Sequence, residues 1–184
     1  MDTRKKILDT ASRLFYHQGY NATGINQIVE EADVAKASLY QHFKSKEDLL
    51  IGYLEIVFEQ TMSRLRYIAS TKLEAKEKIS AIFEYISEYA NSKEFCGCNF
   101  LNIAGEIPAE NVRVYDIIRQ KKIETRAFFT EILKSDSMGE DEMQRTESLA
   151  EGIYILFDGA IMSCKVFGSS WPALAAHKSA LKLF

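Results

Sequence analysis

Apolar side chains in this sequence recur three and four residues apart from one end to the other, and no segment sustains an alternation of period two. The first spacing is that of helices with one buried face, and the second that of half-buried strands. The pattern commits the chain to an all-α fold. Only two prolines, Pro108 and Pro172, and scattered glycines occur in 184 residues, which suits long helices better than a turn-rich β fold.

The helices can be placed from their faces and caps. Ile7, Leu8, Ala11, Leu14 and Phe15 share one face of a first helix over about 3–18, with Gly19 as its stop. Thr23 reads as the N-cap of a second, short helix carrying Ile25, Ile28, Val29 and Ala32. Asp33, Val34 and Ala35 interrupt it, and a third short helix spans about 36–42, with Leu39 and Phe43 facing inward. Ser45 and Asp48 then form a reciprocal cap ahead of a long helix over about 46–70. Further helices are expected near 75–92, 95–107, 111–134, 141–167 and 171–183, the polar stretch 135–139 ending the one before it. That makes about nine helices, with no internal repeat and no low-complexity tract. Composition marks no domain boundary sharply. The cut is expected in the long helix after Ser45, giving 1–46 and 47–184.

Charge excludes some partners and localises others. The net charge is −3, and residues 1–50 carry seven basic and seven acidic side chains. Within 36–46, however, Lys36, Lys44 and Lys46 stand without any acid, and Arg4, Lys5 and Lys6 form a second basic cluster. No run of about 18 apolar residues is present, so no membrane span is expected. The N-terminal stretch has the charge pattern of an amphipathic helix rather than a signal peptide, which points to a cytoplasmic protein whose three cysteines are reduced.

Two short helices joined by a three-residue turn, from Thr23 to Phe43, have the layout of a helix-turn-helix. Ile28, Val29, Ala32, Val34, Leu39 and Phe43 supply the contact that fixes the helices. Lys36, Ala37, Ser38, Gln41 and His42 leave the second helix a short polar face able to enter a major groove about 12 Å wide. Tyr40, Lys44, Lys46 and Thr23 are suitable phosphate donors, and the helix after Ser45 points backbone N–H groups at an anion. Composition alone leaves a second reading open, two core helices with a solvated face of lysines.

The run Ala32, Val34, Leu39, Tyr40, His42, Phe43, Ser45, Lys46, Glu47 and Leu49, at these spacings, resembles the TetR family of repressors. The resemblance covers roughly the first 50 residues. It implies a three-helix DNA-binding domain followed by a larger helical domain for ligand binding and dimerisation. It also implies that helix 36–42 reads bases and that Tyr40, Lys46 and Thr23 contact the DNA backbone. Two positions depart from the family pattern. Asp33 stands where glycine is common, and Ala35 stands where a serine or threonine often caps the recognition helix.

The segment 149–167 is apolar on two sides. Leu149, Ile153, Leu156, Phe157, Ala160, Ile161 and Cys164 form one face, and Ile155, Gly159, Met162 and Val166 lie opposite. A helix apolar on both sides is buried on both sides. Either a core and a partner copy cover it, making Ile155, Gly159, Met162 and Val166 the dimer interface, or it is the central helix of a monomer. In the resembled family the last two helices form a dimeric four-helix bundle.

The same resemblance places a ligand pocket among the helices of 46–167, where Tyr67, Phe83, Tyr115, Tyr154 and Phe157 supply aromatic groups. Gly97, Cys98, Asn102 and Glu106 resemble a Gly-Cys-x-x-x-Asn-x-x-x-Glu pattern of some TetR-like regulators, so Cys98, Asn99, Asn102 and Glu106 become its candidate polar groups. Plain core packing or surface hydrogen bonding accounts for each of them equally.

No Gly-rich phosphate loop, His-Glu-x-x-His or nucleophile elbow occurs, and the three histidines are ungrouped, so no catalytic residue, metal or cofactor is expected. Cys96 and Cys98 are too few for a zinc site and leave thiol sensing open. The function expected is a ligand-responsive transcriptional repressor, a homodimer on a palindromic operator released by a small, largely apolar effector. The alternative is a helical dimer that binds a small molecule or a protein but no DNA.

Overall fold

The computed structural model describes residues 2–134 and 140–184, so the polar stretch expected to end the seventh helix lies outside the described residues. Among these there are nine helices and no strand: α1 Thr3–His17, α2 Ile25–Glu31, α3 Lys36–His42, α4 Lys46–Ser70, α5 Ala75–Tyr89, α6 Asn99–Glu106, α7 Val112–Leu133, α8 Glu140–Phe167 and α9 Trp171–Ala180. The all-α expectation holds, and most helix ends fall within a residue or two of the periodicity. No helix of the described residues is long and apolar enough to cross a membrane.

Two local expectations are corrected. The residue that caps α2 is Gly24, not Thr23. The Thr23 side chain is buried, and its hydroxyl donates 2.7 Å back to the Gly19 carbonyl, closing the α1–α2 loop. Helix α6 begins at Asn99 rather than near 95, because Gly97 takes a left-handed φ of 89° that ends any helix reaching it. A Cβ at Gly97 would lie 2.8 Å from the Lys165 side chain, so a larger residue there would displace Lys165 as well as strain the backbone. The Ser45 cap forms as expected, with the Asp48 N–H donating to Ser45 Oγ at 3.0 Å and that hydroxyl donating to Asp48 Oδ2 at 3.0 Å.

The chain packs as two compact units. The first comprises residues up to Gln60 together with Asn99–Arg119, and the second Thr61–Cys98 with Gln120–Phe184. This packing division does not follow the cut expected after residue 46. The first turns of α4 bury Leu49, Leu50, Tyr53, Leu54 and Phe58 completely or nearly so. Tyr53 meets Phe15 of α1 edge-on at 5.7 Å, and Phe58 meets Phe100 of α6 at 6.3 Å. The apolar face that closes the first unit is therefore drawn from α1, α3, α4, α6 and the start of α7, with Ile7, Phe15, Leu39, Leu50, Ile103 and Val114 at its core. Each fully buried aliphatic or aromatic side chain contributes about 1.5–3 kcal/mol.

In the second unit α9 packs on both α5 and α8. Its inward residues are small (Ala173, Ala176 and Ala180), so a large neighbour can approach its axis closely. Phe83 of α5 stacks on His177 at 6.1 Å, and His177 Nε2 is 2.8 Å from Ser80 Oγ. Helix α8 buries Thr146, Ala150, Ile153, Phe157, Ala160 and Cys164; four of these lie on the face read from the sequence, while Leu149, Leu156 and Ile161 of that face are only half-buried and Thr146 and Ala150 join it. Phe157 meets Phe129 of α7 at 5.2 Å. One ion pair is largely withdrawn from solvent there. Lys122 of α7 donates to both oxygens of Asp158 at 2.5 and 2.7 Å, with 17% and 16% of the two side chains exposed.

Candidate DNA-binding surface

The turn between α2 and α3 is built on Asp33. Its φ of 51° is left-handed, and it is the non-glycine residue in that region among those described. An L-residue there costs about 1–2 kcal/mol, less for Asp and Asn, whose short polar side chains bond locally. This is why glycine suits the position in the resembled family. Ala35 is the N-cap of α3 and makes no side-chain cap bond. The helix is instead anchored from below, by Leu39 with no exposure and Phe43 with 4%.

With Leu39 and Phe43 inward, geometry turns Lys36, Ala37, Tyr40, Gln41 and His42 outward, all exposed, and leaves Ser38 half-buried. Lys36 Nζ is 3.0 Å from Asn26 Oδ1, which steers the ammonium across the α2–α3 turn. Lys44 is exposed beside them, and no acid interrupts 36–46. A seven-residue helix with this face is short, polar and positive, as a major-groove reader must be. Asn26, Val29, Glu30, Asp33, Val34 and Ala35 line a shallow depression at its N-terminal end.

Two of the expected backbone-contacting residues are engaged with the protein. Lys46 Nζ donates 2.6 Å to the Tyr20 carbonyl and lies 4.2 Å above the Tyr20 ring. Burial lowers its pKa below the usual lysine value, while the nearby Glu106 carboxylate acts in the opposite direction. Thr23 is spent on Gly19, as described. Both residues thus shape the α1–α2 loop, while Lys36, Tyr40 and Lys44 leave their polar groups on the exposed surface.

The loop and the start of α4 are held by residues distant in sequence. Asn21 N–H donates 2.7 Å to Glu106 Oε2, and Asn21 Nδ2 donates 2.9 Å to the Glu106 carbonyl. Asn111 Nδ2 donates to Glu47 at 2.8 Å, while Arg113 reaches Glu47 at 3.0 Å and Asp48 at 2.6 Å. The Arg113 guanidinium holds the Asp48 carboxyl below its ordinary range, helped by the Ser45 hydroxyl. These partners are 64–85 residues apart in sequence, so no local pattern announces them.

The candidate ligand residues divide between the units. Asn99, Asn102, Glu106 and Tyr115 belong to the first. Asn99 Oδ1 accepts from Tyr53 at 2.5 Å, and Tyr115 donates to the Ala104 carbonyl at 2.8 Å. Tyr67, Phe83, Cys98, Tyr154 and Phe157 belong to the second. Tyr67 is 63% exposed, whereas Phe83 is fully enclosed. Cys98 Sγ lies 3.4 Å from Lys122 Nζ, and the Tyr154 hydroxyl donates to Asp158 at 3.1 Å. Burial and the Asp158 charge push the Tyr154 phenol far above its ordinary value, keeping it a neutral donor. Cys98, Lys122, Tyr154 and Asp158 therefore form one polar group, of which Lys122 and Asp158 were not singled out from sequence. Of the dimer candidates, Ile155, Gly159 and Val166 are exposed and Met162 is half-buried. Phe167, Trp171 and Leu174 are exposed as well, and the Phe167 and Trp171 rings meet at 4.9 Å.

Comparison with known proteins agrees with this geometry. The sequence model described as bacterial regulatory proteins, tetR family, matches residues 7–52. The helix-turn-helix transcriptional regulator YxaF of Bacillus subtilis (strain 168) is 32% identical over 88% of this chain and 84% of its own length. The TetR-family regulator SCO4454 of Streptomyces coelicolor superposes with a TM-score of 0.83 at 26% identity, over 98% of this chain and 88% of that one. A cysteine-substituted form of the regulator CifR, solved with a 26-base-pair operator duplex, superposes with a TM-score of 0.80 at 22% identity, over 97% and 94%. The chain belongs to the TetR family of helix-turn-helix transcriptional regulators, a family that binds operator DNA and is not enzymatic.

Proposed function

We propose that this chain is a ligand-responsive repressor that binds a palindromic operator as a cytoplasmic homodimer and is released by a small, largely apolar effector. The observation that carries the reading is the face of α3, where Lys36, Ala37, Ser38, Gln41 and His42 are available to base edges and Tyr40 and Lys44 to phosphates. Thr23 and Lys46 support that face from the α1–α2 loop. Two such faces on a two-fold dimer read half-sites about one DNA turn apart. The stripe of Ile155, Gly159, Met162 and Val166, exposed but for the half-buried Met162, is the surface we assign to the partner copy.

For the effector, aromatic residues of the second unit supply the apolar surroundings and the Cys98, Lys122, Tyr154 and Asp158 group supplies polar contacts. The ligand acts by binding more tightly to a conformer whose recognition helices are wrongly spaced.

The test is binding to the duplex upstream of the chain's own gene at several salt concentrations, with Tyr40→Phe and Lys44→Ala alongside the wild type. Removing a lysine on phosphate lowers the salt slope by about 0.9 per protomer, and removing a neutral phenol weakens binding without changing the slope. A wild-type protein that binds neither this duplex nor a random library at low salt would leave the DNA-free helical dimer as the better description.

A further inference from the structure

We infer that Glu106 is a positioning residue for operator recognition, setting the α1–α2 loop and through it the seat of Lys46, and that it is not a ligand group of the helical body. The inference rests on the DNA-binding reading above.

Glu106 is the last residue of α6. A carboxylate there faces the negative end of the helix dipole, so helix physics disfavours it. The carbonyls of a helix's last turn also lack partners within the helix. Asn21 answers both problems. Its side-chain amide donates to the Glu106 carbonyl at 2.9 Å, and its backbone N–H donates to the carboxylate at 2.7 Å. A residue that its own helix disfavours is thus satisfied by a loop 85 positions away.

The loop is formed to receive it. Gly19 has a left-handed φ of 97°, and a Cβ there would lie 3.0 and 3.2 Å from the two Glu106 carboxylate oxygens. A side chain there would crowd the carboxylate and strain the left-handed backbone, so glycine suits the position. From this loop the Tyr20 carbonyl and ring hold Lys46, the first residue of α4. Arg113 grips the next two residues, Glu47 and Asp48. The end of α6 and the start of α7 therefore clasp both the loop before α2 and the helix after α3, which bracket the reading head.

The experiment compares the wild type with Glu106→Ala and Glu106→Gln, using the same upstream duplex. Amide hydrogen exchange at Asn21 reads the clasp without DNA. Protection is expected to fall in Glu106→Ala and to persist in Glu106→Gln, whose amide oxygen still accepts. Operator affinity is expected to fall about tenfold in the alanine variant, the scale of one hydrogen bond to a charged group, and to be largely restored by glutamine. The salt slope is expected to stay constant in both, because no phosphate contact is removed.

An alanine variant that loses Asn21 protection yet binds as the wild type does overturns the positioning role. So does an affinity that declines only in proportion to a falling thermal midpoint, which marks mere structural support. A wild type that fails to bind any duplex overturns the DNA reading itself, and the inference with it.

Discussion

Asp33 offers a quantitative test of the turn that orients the recognition helix. Its left-handed φ of 51° is one that aspartate and asparagine adopt more readily than other residues with a side chain, and the site is exposed. Alanine lacks that tolerance, and the substitution Asp33→Ala should cost about 1 kcal/mol, the lower end of the left-handed penalty. For a chain of this size that is a fall of about 2–4 °C in Tm. Glycine removes the strain left in aspartate, at most about 1 kcal/mol, but loosens the unfolded chain by about 0.4–1 kcal/mol, so Asp33→Gly should lie within about 1 kcal/mol of the wild type and well above Asp33→Ala. Asp33→Asn keeps the conformational tolerance and deletes only the charge.

Operator affinity separates the two effects. Were the Asp33 carboxylate about 8 Å from one phosphate in the complex, the repulsion in water would be about 0.5 kcal/mol per protomer before screening. Asn and Gly should therefore both bind operator more tightly at low salt, by about twofold per protomer, a gain that disappears at high salt. Calorimetry and fluorescence anisotropy on the four proteins read these orders. An alanine variant as stable as the aspartate would refute the strain argument, and asparagine binding no tighter than aspartate would refute the charge argument.

Three further outcomes follow from the geometry. Asp158→Asn leaves the Lys122 ammonium without its counter-charge in a site about one-sixth exposed. It should cost about 3 kcal/mol, and adding Lys122→Met to the same chain should recover most of the lost Tm. A charge placed on the exposed apolar stripe of α8, by Ile155→Asp or Val166→Asp, should raise the dimer dissociation constant at least about a hundredfold in sedimentation, since pairing would bury it unpartnered. The Arg113 pair with Asp48 should also give the first unit a pH dependence. Because the folded carboxyl lies below its ordinary range, its stabilising contribution is complete above about pH 4 and is lost as the pH falls through the lowered folded value. Urea titrations across that window should lose this component in Asp48→Asn.

The helices were legible because each buries one face of regularly spaced apolar side chains. Leu39 and Phe43, four apart, are enough to orient α3, and the Ser45 and Asp48 pair marks the start of α4. Thr23 was misassigned because a threonine before an amphipathic run has the chemistry of a cap. Its hydroxyl was claimed instead by Gly19, four residues earlier. The start of α6 was missed because the periodicity of Phe95 and Asn99 passes through Gly97 without registering its backbone. Asn21, Asn111 and Arg113 carry no local signature at all. Their importance comes from partners that only the folded chain brings near, and the same holds for Lys122 and Asp158, which are 36 positions apart.

The membership of α6 and the first turns of α7 in the unit of the reading head bears on how such a protein can be recombined. A hybrid regulator made by splicing the first 46 residues onto a foreign sensor would carry the recognition helix but neither Glu106 nor Arg113. Its fidelity would depend on whether the recipient supplies an equivalent glutamate and arginine at the same corner. The element to transplant would accordingly be discontinuous, residues up to Gln60 with Asn99–Arg119. Swaps that move both pieces together should preserve operator choice where swaps of the N-terminal piece alone erode it.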